Sequence, residues 1–167
     1  MYLTESELTS SKKISMTKII LKKDKISKNE YFVVDDPTFV TKSTSEHLIV
    51  TTSQWSDNKN TLLRKKKNIG IKLHSDESVV MIEEDINFFK IIQFHFLTFK
   101  DGRPFSEAKR LRNEFKYTGE IRASGHIIPD QYIFLLRCGF NSVEIESKNK
   151  KFWLECFKMD TGLYYQP

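Results

Sequence analysis

Apolar and polar positions along this chain change period several times, and each change marks an element. Residues Met1 to Met16 are polar and weakly patterned, which predicts a flexible tail ahead of one α/β domain over residues 17–167. Lys18–Leu21, Tyr31–Val34 and His47–Val50 read as short strands, the first two separated by a lysine-rich turn over Lys22–Asn29. Ser53 or Ser56-Asp57 offers an N-cap for a helix through Leu62 and Leu63. That helix ends in the run Arg64–Lys67, where cations suit the helix dipole.

From Asn68 onward strands and helices alternate. Strands are expected at Ile69–Leu73, Ile91–Phe96, Glu120–Ser124 and Ser142–Ile145. Helices are expected at Ser78–Phe89, Phe105–Phe115, Asp130–Cys138 and Asn149–Phe157. This rhythm predicts βαβ units and a mostly parallel sheet, with a short N-terminal β segment.

Side chains on a strand alternate faces, so each strand divides in two. Ile69, Ile71 and Leu73 oppose Lys72 and His74; Ile92, Phe94 and Phe96 oppose Gln93 and His95. Ile121 and Ala123 oppose Arg122 and Ser124; Val143 and Ile145 oppose Ser142, Glu144 and Glu146. A sheet covered by helices on both faces would show near-continuous apolar strands. The expected architecture is therefore an open, partial (β/α) barrel with helices on one face and a polar concave face. Gln93, His95, Arg122 and Glu144 would point into it, as a ligand site, a subunit interface or a solvated surface.

Composition narrows the class. At 167 residues with 39% hydrophobic and 29% charged positions, the chain can bury a real core. The net charge of +5 collects in lysine runs that lack interleaved exposed aromatics, which argues against nucleic-acid binding. Cys138 and Cys156 have no metal-ligand or CxxC spacing and read as reduced thiols of a cytoplasmic protein. No apolar run has the length of a membrane span. Nucleotide, haem and iron–sulfur motifs are absent, so the cofactor, if any, is unknown, and no metal site is expected.

Charge falls at the strand ends and turns. Asp101-Gly102-Arg103 follows one strand and precedes a helix; the turn, the helix N-terminus and the arginine fork would suit an oxyanion. Ser106 reads as a helix cap. Arg122, set between Ile121 and Ala123, needs a partner: Glu120, Glu144, Asp101 or a bound anion. Ser124-Gly125-His126 closes the same strand, and His95 shares its polar face. His95 and Glu144 would be the acid and base of a barrel enzyme. Asp130-Gln131 opens a nearly all-apolar helix, where Asp130 complements the dipole.

Phe99, Asp101, Gly102, Arg103, Ser106, Ala108, Leu111, Arg112, Thr118-Gly119-Glu120, Arg122-Ala123, Gly125, Asp130-Gln131 and Arg137-Cys138-Gly139-Phe140 together carry a resemblance. The chain resembles a bacterial family of unknown function described as oxidoreductases of sulfite reduction, from near Val50-Thr51 and Trp55 to Tyr165-Gln166. The resemblance implies a cytoplasmic accessory protein of assimilatory sulfate and sulfite reduction. It would be encoded beside sulfite reductase and would partner that or another sulfate-assimilation enzyme. It implies no mechanism. Leu97, Pro104, His126 and Pro129 depart from the family pattern, and His126 replaces an Asp.

Overall fold

The computed structural model describes residues 18–65 and 68–160; the predicted tail, Lys66 and Lys67 lie outside the described residues. Eight strands form one sheet: β1 (Lys18–Lys22), β2 (Lys25–Lys28), β3 (Phe32–Val33), β4 (His47–Thr51), β5 (Asn68–His74), β6 (Phe89–Phe96), β7 (Glu120–Gly125) and β8 (Ser142–Glu146). Their order is β2-β1-β8-β7-β6-β5-β4-β3. Strands β3 to β8 pair in parallel, whereas β1 is antiparallel to both β8 and β2. The sheet is thus mixed rather than mostly parallel. The expected lysine-rich turn is itself a hairpin arm: Lys23 adopts φ 54° and the chain turns back to form β2.

The helices are α1 (Phe39–Lys42), α2 (Thr52–Arg64), α3 (Arg103–Asn113), α4 (Tyr132–Arg137) and α5 (Lys150–Asp160). The N-cap of α2 is Thr51, ahead of the expected serines, because Gln54 completes a reciprocal capping box with it. Residues Val79–Phe88 form a 3-10 helix instead of the expected α-helix, and it buries Val79, Ile82 and Ile86. No helix among the described residues is long and apolar enough to cross a membrane.

One continuous core joins the sheet to these helices. It contains Leu48 and Val50, Ile71 and Leu73, Ile92 and Phe94, Ile121 and Ala123, and Val143 and Ile145 from successive strands. Trp55, Leu62, Ala108, Leu111, Leu135 and Trp153 meet them from α2 to α5. Ile20, Ile49 and Ile91, on the opposite face, are buried but stand outside that core.

The connection from β2 to β3 sets the curvature. These are the two edge strands of an eight-stranded sheet, yet only Asn29, Glu30 and Tyr31 lie between Lys28 and Phe32. Seven strand spacings in a flat sheet would separate the edges by about 34 Å. Four residue steps span at most about 14 Å. The sheet must therefore curl into a half-barrel, with Asn29–Tyr31 strapped across its open side.

Candidate functional site

In-register pairing stacks the concave side chains in layers. The lower layer is Thr51, Lys72, Gln93, Arg122 and Ser142; the upper is His74, His95 and Ser124. The strap crosses the lower layer. Arg122 is 3% exposed and its Nε and NH2 both donate to Glu120 Oε1, at 3.0 and 2.9 Å. Its NH1 donates to Asn29 Oδ1 at 2.9 Å, and the Tyr31 ring centroid lies 5.8 Å from the guanidinium. Glu120 also accepts from Lys22 Nζ and Ser142 Oγ, both at 2.6 Å. Burial raises the Glu120 pKa, but the Arg122 charge and these donors outweigh it, so the net shift is downward. Of the partners open to Arg122 in sequence, Glu120 is the one in contact, with Asn29 as an unforeseen second.

The upper layer remains half-open. Ser124 Oγ donates to the Phe94 carbonyl at 3.4 Å, accepts from Gln93 Nε2 at 3.0 Å, and lies 3.3 Å from His95 Nδ1. The contact with His95 can run either way, since the one Ser124 hydroxyl proton can go to the Phe94 carbonyl or to His95 Nδ1. The rings of His74 and His95 meet edge to face at 5.6 Å. Burial, then the charges of Lys72, His74 and Lys18, push the His95 pKa down to about 4, against an opposing pull from Glu144. The imidazole is neutral at pH 7. Glu144 itself accepts from Lys18 Nζ at 2.8 Å and Asn29 Nδ2 at 3.2 Å. Lys72 makes no ion pair or hydrogen bond with the described residues.

The remaining candidates occupy other places. Arg103 is exposed and gives its Nε and NH2 to Asp101 at 2.9 and 2.7 Å, while its backbone N–H also reaches Asp101 at 3.1 Å. The Arg103 hydrogen bonds hold the Asp101 pKa far below its usual value. Asp101 thus fills the place that the sequence offered to an outside anion at α3, and Arg103 and Arg122 share no partner. Ser106 lies inside α3, whose N-cap is Gly102. Gln131 braces two loops, donating to the Phe99 carbonyl at 2.8 Å and accepting from the Ile128 N–H at 3.4 Å. Asp130 is exposed and accepts from the Cys156 thiol at 3.8 Å.

Gly125 and His126 stand at the mouth of a cleft of about 460 Å³, lined also by Lys18, Phe99, Glu144, Asn149 and Trp153. Gly125 has φ 87°, and a Cβ there would lie 2.5 Å from the Phe96 carbonyl and 2.9 Å from the His95 ring. Gln93 was expected on the concave face, whereas Lys72, His74 and Asn29 were not singled out in sequence. The strand alternation already placed Lys72 and His74 on the polar side; Asn29 carried no signal. No group of three or more His, Cys, Asp or Glu side chains able to hold a metal occurs among the described residues.

The chain belongs to the family described as "Bacterial protein of unknown function (DUF934)", whose model matches residues 70–167. The match begins within β5, covers β6 to β8 and α3 to α5, and so includes His74, Gln93, His95, Arg122 and Ser124. No curated protein matches the chain.

Proposed function

We propose that this family member is an accessory protein of assimilatory sulfate and sulfite reduction that binds a small oxyanion on the concave face between its two layers. The single observation that carries the binding site is Lys72, a half-buried cation of that face that makes no ion pair or hydrogen bond with the described residues. It stands in register with Gln93, one layer below His74 and His95. The pathway rests on the sequence resemblance. An anion seated against His95 would stabilise the imidazolium, so its pKa should rise from about 4 on binding. Histidine-ring NMR titrations with and without sulfite are expected to show that rise, accompanied by a higher melting temperature. An unmoved His95 titration and unchanged melting across sulfite, sulfate and phosphate would remove the oxyanion reading.

The alternative is a non-enzymatic module that docks sulfite reductase. The strap crosses the lower concave layer, but Phe99 and Ile128 line the cleft and are exposed, giving docking an apolar rim. Capture of purified sulfite reductase that is lost in Phe99→Ser, with no oxyanion-dependent shift, would favour this second reading.

A further inference from the structure

The concave face holds an unusual combination for an anion site. Beside Lys72, which makes no ion pair or hydrogen bond with the described residues, stands a buried acceptor. Gln93 is 2% exposed; its Nε2 donates to Ser124 Oγ, and its Oε1 has no hydrogen-bond partner among the described residues. His95 stands one layer above, with its Nδ1 3.3 Å from the Ser124 oxygen. Gln93 pairs in register with Lys72, so the two stand side by side one layer below the half-buried imidazole. A buried acceptor left without a donor is costly, and a fully deprotonated anion set against it would add lone-pair repulsion.

We infer that the concave face at Lys72 and Gln93, below His74 and His95, selects an oxyanion that still carries a proton: Lys72 neutralises the charge, and Gln93 Oε1 accepts the ligand's O–H. This rests on the oxyanion reading above and narrows its substrate class. Hydrogen sulfite, hydrogen phosphate and hydrogen carbonate satisfy the requirement near neutral pH. Sulfate, with the same charge and similar size as the phosphate dianion, has no proton to give. The site therefore distinguishes a protonated acid anion from its fully deprotonated analogue through an acceptor, as a site built to bond a hydroxyl rejects the partner lacking it. The titratable and charged groups facing the ligand are Lys72 and His74 from β5, His95 from β6, and Lys18 and Glu144 from the β1–β8 side.

The test is isothermal titration of the full chain with phosphate, sulfite, hydrogen carbonate and sulfate at matched ionic strength near pH 7. Phosphate and sulfite are expected to bind about tenfold or more tightly than sulfate. Gln93→Met, checked for folding by circular dichroism and melting, should bring the phosphate-to-sulfate ratio towards one. Lys72→Met should weaken all four anions by similar factors and leave the ratio alone. If Gln93→Met fails to fold, the wild-type ratio decides by itself. Equal binding of sulfate and phosphate overturns proton selection while leaving an oxyanion site in place. Absence of binding by all four overturns both.

Discussion

Gly102 and Gly125 both belong to turns that follow parallel strands, yet the structure asks different things of them. Gly102 has φ −85°, and a Cβ added there would meet no heavy atom within 4 Å, so its lack of a side chain is a convenience. Gly125 is held at φ 87° against the Phe96 carbonyl and the His95 ring, and the N–H of His126 donates to that same carbonyl at 2.9 Å. Gly125→Ala is expected to destabilise the fold by about 2 kcal/mol or more, with His95 displaced. Gly102→Ala should be neutral or stabilising by about 0.5 kcal/mol. Urea denaturation of the two variants checks this; similar losses would refute the distinction. Arg112 shows the same division between appearance and role. It donates to the carbonyls of Gly139, Tyr117 and Gly119 at 3.0, 2.5 and 2.9 Å and to Asn141, clamping the ends of two loops. Several residues that carry the family resemblance, Arg112, Gly119 and Gly139 among them, are thus explained by backbone satisfaction.

Among the elements, β7 holds the most consequential pair. Its first and third residues, Glu120 and Arg122, share one face and bond to each other, so the strand supplies its own counter-ion. Because the folded-state pKa of Glu120 is depressed, its contribution is fully present above the unfolded value of about 4.3 and is lost as pH falls through the lower folded value. Glu120→Gln is expected to cost about 3 kcal/mol at pH 7, and the gap to wild type should shrink below about pH 4.3. A gap independent of pH between 3 and 7, on the order of those values, would contradict this role. The Val79–Phe88 segment shows where element type was illegible. Buried positions Val79, Ile82 and Ile86 are separated by three and four residues, a spacing that fits a 3.6 period, so the apolar pattern pointed to an α-helix and carried no sign of the tighter winding.

At the scale of the whole molecule, the strap links the sheet's edges and decides which polar residues face solvent. Asn29 bridges the two sides, accepting from Arg122 and donating to Glu144. Asn29→Ala removes both bonds and should destabilise the molecule by about 2 kcal/mol. It should also speed tryptic cleavage at the exposed Lys25 and Lys28, because the edge hairpin loses its inner anchor. Unchanged cleavage and stability would mean that the curl is held by strand pairing alone.

The parallel strands, their order of appearance and their polar face were determined by the sequence itself, since alternation along β5 to β8 is a local property of the backbone. The mixed sheet was not, because the antiparallel pairing of β1 with β8 joins residues more than a hundred positions apart. The same holds for the site. Sequence placed Arg103, Arg122 and His95 near one another only by element. Tertiary structure gave Arg103 to Asp101 and Arg122 to Glu120 and Asn29, leaving His74 and His95 as the half-open upper layer with Lys72 below them. Which charges are satisfied internally depends on curvature and on a three-residue strap, and neither has a signature in the local pattern of apolar and polar positions.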